Sequence, residues 1–273
     1  MPTEMSFRDH FYEMRSRILR VSIIILIIII FSITFGVKVY SINLSAINIA
    51  TTIKFPFIYP DPFNNLAIQI TSFMKNSLLP NEVKLIQTAP GQAFFAQIYV
   101  AALIGIIVSI PLLIREIYGF VSPAIEEKEK KRNNLIKILV STVGLFVIGI
   151  IFSYMLVIPF TLEFLYKYGQ SIGVETFLNI NDFITFVLQF LIGFGISFEL
   201  PLIMYIISLS GIIDIEFWRK NFRYSIIIIV VFGAIITPDG SGVTMWLIAG
   251  PMILLYIIGI FLVKSKVLKK DNL

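Results

Sequence analysis

The chain has 273 residues, of which 57% are hydrophobic and only 14% are charged, and its mean hydropathy is +0.89. Soluble domains carry about 25% charged residues, so this composition cannot cover a globular surface with polar groups. It argues against a soluble enzyme, a disordered protein and a fibrous protein. The chain has no cysteine and a single histidine, His10. We therefore expect no metal site and no cofactor, because thiolates and paired imidazoles are both missing.

The apolar residues lie in six blocks that meet or approach the length of about 20 residues needed to cross a bilayer. The sequence therefore predicts an all-α integral membrane protein with six transmembrane helices. The first block follows basic residues, as a signal peptide does, but it is long and no small-residue cleavage site closes it. The predicted spans are 19–37, 94–114, 135–158, 183–209, 224–236 and 243–263, within one polytopic membrane domain over 1–263 that precedes a basic cytoplasmic tail over 264–273.

The fifth predicted span, Tyr224–Ile236, is short for a transmembrane helix. The polar turn that follows it, Thr237 to Gly242, cannot extend the span. A short span either thins the bilayer locally or is sheltered by its neighbours. The sequence does not decide between these two alternatives.

The distribution of lysine and arginine predicts the orientation, because cytoplasmic segments hold an excess of these residues. Most of the 22 basic residues lie in four segments. These are the segment before span one, the segment between spans two and three, the segment between spans four and five, and the segment after span six. Both termini are therefore expected to be cytoplasmic, and the net charge of +5 needs no nucleic acid to explain it. The opposite set of segments holds only Lys38, Lys54, Lys75, Lys84 and Lys167.

The first external segment, 38–93, is long and contains a predicted helix. Asp61 is a suitable cap for a helix whose first residue is Pro62. Apolar residues then recur at helical spacing from Phe63 to Leu78. This helix lacks the basic rim of a membrane-surface anchor, so we expect it to pack on the outer ends of the bundle.

Glu199 lies well inside the fourth predicted span. A carboxylate at the centre of a transmembrane helix costs about 2.5–3.5 kcal/mol even on lenient scales. Pro201 lacks a backbone donor and should loosen the helix beside the acid. Glu199 is therefore expected to face a polar partner, either a hydroxyl of an adjacent span or a group from another chain, or to act as a proton site.

A second set of charged residues is expected at the cytoplasmic face. Glu13 and Arg17 precede the first span at i, i+4, a spacing that permits a simple surface pair on a helix. Between spans two and three, Phe120 and Pro123 are followed by acids that include Glu129. From composition alone, this second segment is a solvated charged turn.

Together these segments resemble the TatC family, the multispanning receptor subunit of the twin-arginine protein translocase. The resemblance extends from about Phe7 to Phe261, and the order and spacing of its motifs make it specific. The matching residues are Glu13, Arg15 and Arg17; Pro111; Phe120, Pro123 and Glu129; Phe146, Gly149, Tyr154 and Pro159; Phe198, Glu199 and Pro201; Thr237, Pro238 and Asp239; and Pro251.

Two positions depart from the family pattern. Gln92 and Ile257 stand where many members have glutamate. The second departure removes an intramembrane carboxylate, so a role assigned to that acid in relatives cannot be transferred to this chain. Glu199 would then carry that role alone.

The resemblance implies a non-enzymatic receptor in the plasma membrane of a prokaryote. It would bind signal peptides with paired arginines and recruit single-span TatA/TatB-type subunits to export folded proteins, and it would be multimeric with itself. The signal-peptide site would be formed by Glu13, Arg15, Arg17, Phe120, Pro123 and Glu129. Arg15 and Arg17 would keep the acids apart or neutralised when no peptide is present. Glu199 and Pro201 would form an intramembrane docking site for the partner, and Pro111, Tyr154 and Asp239 are further family-matched positions.

Two other functions remain open from the residues alone. A proton-coupled secondary transporter would use Glu199 as its coupling carboxylate, although no second copy of the Phe-Glu-x-Pro pattern marks a related half of the chain. A purely structural scaffold would tolerate changes at Glu13, Glu129 and Glu199.

Overall fold

The computed structural model describes residues 7–43, 52–80, 82–121, 132–209, 211, 213–237 and 240–270. Helices dominate, as predicted. The helices are α1 (Phe7–Thr34), α2 (Leu66–Leu78), α3 (Gln92–Val121), α4 (Arg132–Phe152), α5 (Ile158–Ser171), α6 (Ile180–Phe198), α7 (Leu200–Leu209), α8 (Ile215–Lys220), α9 (Phe222–Ile236) and α10 (Gly242–Lys270). The short strands are β1 (Phe35–Asn43), β2 (Thr52–Pro60), β3 (Lys84–Ile86) and β4 (Phe177–Asn179), and a π-helical turn, Ser153–Val157, joins α4 to α5.

Internal contacts divide the chain into two compact units. The first contains residues 1–77 and 87–125, and the second contains residues 78–86 and 126–273. The single membrane domain over 1–263 stays a prediction. In the first unit α1 packs along α3, where Gly105 allows close approach, because a Cβ there would lie 3.2 Å from the side chain of Ile25.

An antiparallel hairpin of β1 and β2 continues directly from α1 in the first unit. Phe35 pairs with Pro60 and Asn43 pairs with Thr52 at its two ends. The first span was predicted to continue to residue 37, but the helix ends at Thr34 because the chain turns there into alternating residues of β1. The same alternation of β-branched, aromatic and polar residues was a usable strand signal.

Helix α2 confirms the helix predicted in segment 38–93 but not its predicted start, and its external side stays a prediction. Asp61 accepts hydrogen bonds from the backbone N–H groups of Phe63 and Asn64, and so it caps a turn that precedes the helix. The helix cap is Asn65, whose Oδ1 accepts a hydrogen bond from the backbone of Ile68 at 2.9 Å. Asn65 is fully buried, which explains its position at the helix start.

One close helix contact in the second unit joins α4 to α6. Gly149 faces the backbone of Phe194, and Gly195 faces the ring of Phe146. Helix α6 supplies a phenylalanine core to this contact, since Phe190 and Phe194 are fully buried. Small residues let helices approach closely in membrane proteins, where association depends on packing.

Another close contact joins α7 to α10. A Cβ on Gly259 would lie 2.6 Å from Sδ of Met204 and 3.3 Å from Cα of Pro201. Beside it, the hydroxyl of Tyr256 donates to the carbonyl of Trp218, which ties α10 to α8. Helix α10 continues to Lys270, beyond the predicted end of the sixth span at residue 263.

The described part of the chain contains 5 helical segments long and apolar enough to cross a membrane. A shorter apolar helix, Phe222–Ile236, corresponds to the fifth predicted span. The prediction of a helical membrane protein is therefore confirmed. The longer segments are Phe11–Thr34, Gln92–Glu116, Lys137–Ser171, Ile180–Leu209 and Gly242–Ser265.

We expect Gly149→Val to destabilise the contact between α4 and α6. The new Cβ would lie 2.6 Å from the carbonyl oxygen of Phe194, and overpacking of this kind costs about 1–3 kcal/mol. The measurement is the midpoint of thermal unfolding in detergent. Gly144→Val is the matched control on the same helix, since a Cβ there meets nothing within 4 Å. Equal midpoints for the two variants would contradict this account.

Candidate functional site

An ion-pair network connects the N-terminal part of α1 with the C-terminal part of α3 in the first unit. Nε and Nη2 of Arg17 donate to Oε1 of Glu13 at 3.0 and 2.6 Å. The predicted i, i+4 pair therefore forms, and the Glu13 side chain is 28% exposed. In the described part of the chain, Oε2 of Glu13 has no hydrogen-bond partner, so one oxygen of this carboxylate is open to a further donor.

Glu116 is the residue of this network that the sequence analysis missed. Its Oε2 accepts a hydrogen bond from Nη1 of Arg17 at 2.8 Å, and its Oε1 accepts one from Nη1 of Arg20 at 2.6 Å. Glu116 is only 5% exposed, so both of its oxygens lie inside the protein and both hold a guanidinium. We call Glu13, Arg17, Arg20 and Glu116 the arginine–glutamate cluster.

A sequence signal for Glu116 exists but is weak. Span two was predicted to end before it, whereas α3 continues to Val121. On this longer helix, Glu116 extends a buried stripe that contains Ala101, Gly105 and Ser109 at helical spacing. A carboxylate at the end of a buried stripe needs an internal cation, and only the packing of α1 on α3 identifies that cation as Arg17.

Gly119 leaves space for the Arg17 guanidinium beside α3. A Cβ at this position would lie 2.5 Å from Nη1 and 3.1 Å from Cζ of Arg17. Nη1 also donates to the backbone carbonyl of Glu116 at 3.3 Å. The guanidinium therefore lies close against the turn of α3 that carries Glu116, and a larger side chain at position 119 would have to displace it.

Arg15, another predicted site residue, points away from the cluster. It is exposed and forms no ion pair with any described residue. The role of Arg15 toward Glu129 stays a prediction, because Glu129 lies outside the described residues, and Arg20 joins Arg17 as the second cation of the cluster. Arg15 helps to line a shallow groove on one face of α1, formed by Tyr12, Arg15, Ser16, Leu19, Arg20 and Ile23.

Part of the predicted peptide site cannot be placed. Pro123 and Glu129 lie outside the described residues, as does Asp239. The backbone of Phe120 lies in the last turn of α3, one residue after Gly119. The structure thus brings together Glu13 and Arg17, and leaves the association of Glu129 with them as a prediction.

Glu199 lies in the second unit, at the junction between α6 and α7. Helix α6 ends at Phe198 and α7 begins at Leu200, so the helical pattern breaks at the acid, close to Pro201 as expected. Oε1 of Glu199 is buried and has no hydrogen-bond partner in the described residues. The alternative in which a hydroxyl of an adjacent span satisfies this oxygen is therefore not realised.

Three further buried side chains of the second unit have an unpaired oxygen among the described residues. Ser153 is fully buried at the start of the π-helical turn, and its Oγ has no partner within the described part of the chain. Oδ1 of Asn181 and Oε1 of Gln189, both on α6, are also buried without one. Unpaired polar atoms are costly in a membrane, so each of them would gain from a further polar partner.

Three other family-matched positions, Pro201, Tyr154 and Pro111, lie within helices or the π-helical turn. Pro201 is buried against Gly259, where it shapes the contact of α7 with α10. Tyr154 lies in the π-helical turn, and Pro111 is exposed inside α3.

The two positions that depart from the family pattern are Gln92 and Ile257. Gln92 begins α3, and its Oε1 accepts a hydrogen bond from the backbone of Thr88 at 2.9 Å, so the glutamine amide oxygen acts as the acceptor at this position. The other departure, Ile257, is 46% exposed on α10.

No cluster of three potential metal ligands occurs among the residues that the structure describes. The first unit holds two carboxylates and two guanidiniums in one cluster, and the second unit holds an intramembrane acid with one unpaired oxygen. Carboxylates bind cations, and guanidiniums bind anions, by charge-assisted hydrogen bonds.

Comparison with known proteins gives a consistent result. Residues 9–251 match the family described as Sec-independent protein translocase protein (TatC). The chain is 48% identical to the TatC protein of Cenarchaeum symbiosum (strain A), over 99% of this chain and 98% of that protein. It is 36% identical to the TatC protein of Aquifex aeolicus (strain VF5), over 70% of this chain and 79% of that protein.

A solved structure shares the fold as well. The crystal structure of the twin arginine translocase receptor TatC superposes with a TM-score of 0.74 at 28% identity, covering 94% of this chain and 98% of that one. The chain belongs to the TatC family of Sec-independent protein translocase components.

Proposed function

We propose that this membrane protein is the receptor of a twin-arginine translocase. It binds signal peptides with paired arginines at the cytoplasmic face and recruits single-span subunits that help to export folded proteins. As a TatC-family translocase component it is not an enzyme. The observation that carries the proposal is that the partly exposed carboxylate of Glu13 already accepts a guanidinium and keeps one oxygen open.

Guanidinium recognition by Glu13 follows from the geometry of its contact with Arg17. Nε and Nη2 of Arg17 both bond to one oxygen of Glu13, which supports the proposal that this carboxylate binds an arginine guanidinium. A lysine ammonium is a compact point charge and cannot reproduce such a fork. Glu129, on the segment after α3, would receive the second arginine of the pair, with Phe120 and Pro123 as apolar neighbours.

Glu199 supports the second half of the proposal, the recruitment of a partner helix. Its buried and unpaired oxygen needs a donor, and within a bilayer a polar side chain of another transmembrane helix is the most favourable source. The TatC relatives favour this role over that of a coupling carboxylate in a secondary transporter. The excess of lysine and arginine in the segments that hold Glu13 and Glu129 supports a cytoplasmic position of both termini. The archaeal and bacterial TatC relatives support the plasma membrane of a prokaryote as the location.

Photo-crosslinking of signal peptides tests the proposal. The full chain, in native membranes, is exposed to a twin-arginine signal peptide that carries a photoreactive group, and to the same peptide with both arginines replaced by lysine. We expect the twin-arginine peptide to crosslink to the N-terminal part of α1 and to the segment after α3, and the twin-lysine peptide to crosslink weakly. Equal crosslinking of both peptides would refute arginine recognition.

A further inference from the structure

The arginine–glutamate cluster contains two guanidiniums and two carboxylates from the chain itself. A twin-arginine peptide bound to two receptor acids would bring together the same groups, two guanidiniums and two carboxylates. Arg17 occupies Oε1 of Glu13 through Nε and Nη2. The acid proposed to receive a peptide arginine therefore already holds a resident one on Oε1. A peptide guanidinium that binds both oxygens of Glu13 bidentately competes with Arg17 for Oε1, although Oε2 is open.

Glu116 provides a second partner for Arg17 when a peptide guanidinium displaces Arg17 from Glu13. A partly buried guanidinium that lost every partner would leave an uncompensated charge, which is strongly unfavourable. Nη1 of Arg17 remains 2.8 Å from Oε2 of Glu116 and 3.3 Å from the carbonyl oxygen of the same residue. Arg17 can thus give up Glu13 and still keep an anionic partner.

Glu116 is not itself available to a peptide. It is 5% exposed, and its second oxygen is held by Arg20 at 2.6 Å. Gly119 leaves room for the guanidinium of Arg17 against α3, because a Cβ there would lie 2.5 Å from Nη1 and would have to displace it. The anchor for Arg17 is therefore built into the contact of α1 with α3.

We infer that Glu116 is a positioning residue that retains Arg17 when a peptide guanidinium takes Glu13, and that it thereby sets the affinity for the peptide. This inference rests on the proposed function of Glu13. The four residues of the cluster carry balanced charge. Without the carboxylate of Glu116 the cluster becomes positive, and Arg17 has Glu13 as its only carboxylate among the described residues. Both effects oppose a cationic peptide.

Peptide affinity in a double-mutant cycle tests this role. The full chain in lipid nanodiscs is titrated with a fluorescent twin-arginine signal peptide, for the unchanged protein, Glu116→Gln, Arg17→Gln and the double variant. We expect Glu116→Gln to weaken binding about tenfold, the size of one charge-assisted hydrogen bond. Arg17→Gln should tighten binding, because it frees Glu13 and leaves Glu116 paired with Arg20. In the double variant, the loss caused by Glu116→Gln should be smaller than in the presence of Arg17, because only the change in the charge of the cluster remains.

Several results would overturn the inference. An equal loss of affinity on Glu116→Gln in both backgrounds would show that the acid acts without Arg17. Unchanged affinity of Glu116→Gln, or unchanged or weaker affinity of Arg17→Gln, would do the same. If Glu116→Gln fails to fold, as judged by size-exclusion chromatography, the affinity of Arg17→Gln decides alone. Absence of peptide binding to the unchanged chain would instead refute the proposed function, and the inference with it.

Discussion

Replacing both Glu13 and Glu129 with glutamine is expected to abolish crosslinking of a twin-arginine signal peptide. Hydrogen bonds to charged groups contribute about 1.5–3 kcal/mol each, so the loss of two carboxylates lowers affinity by at least about 100-fold. Glutamine keeps the size of the side chain and removes only the charge and part of the acceptor capacity. Arg17 remains bonded to Glu116 in this variant, so α1 stays anchored to α3.

A matched double variant separates this effect from a general change of charge. Glu163→Gln with Asp271→Asn removes two carboxylates elsewhere, and Glu163 forms an i, i+4 ion pair with Lys167 at 2.6 Å that resembles the pair of Glu13 with Arg17. We expect this control to retain crosslinking. Equal crosslinking in the two double variants would exclude Glu13 and Glu129 from the peptide site.

Glu199→Ala is expected to stop transport of folded cargo while signal-peptide crosslinking persists. The variant removes the buried carboxylate whose Oε1 is unpaired, and with it the acceptor for a polar group of the partner helix. Co-purification of the single-span subunits should fall sharply, because a polar contact within the bilayer is lost. Export of a folded reporter protein into the compartment beyond the membrane measures transport.

Two controls make the result on Glu199 specific. Glu216→Ala removes an acid of α8 that is exposed, and we expect transport to continue. The unchanged chain alone in liposomes should show no substrate-dependent proton uptake, since such uptake would revive the transporter alternative. Normal transport by Glu199→Ala would exclude a functional role for the acid.

The spans could be predicted from the sequence because burial in lipid requires long apolar runs within one segment. The helix break at Glu199 could also be predicted from nearby residues, because Pro201 disturbs the helix to which it belongs. The family could also be recognised, because its motifs are spread along the chain at fixed spacing. Helix ends were less predictable, as the start of α2 and the end of α10 show, since they depend on turns and caps.

Tertiary structure alone decided the partners of the charged residues. Arg17 and Glu116 are 99 positions apart in the chain, and no pattern around either residue identifies the other. Their contact exists because α1 packs along α3 and Gly119 leaves room for the guanidinium. The sequence by itself determined which helices enter the membrane and which acids they carry. Helix packing decided that both oxygens of Glu116 are occupied and that one oxygen of Glu13 stays open. The reason is that an ion pair forms only where two side chains are brought within hydrogen-bond distance.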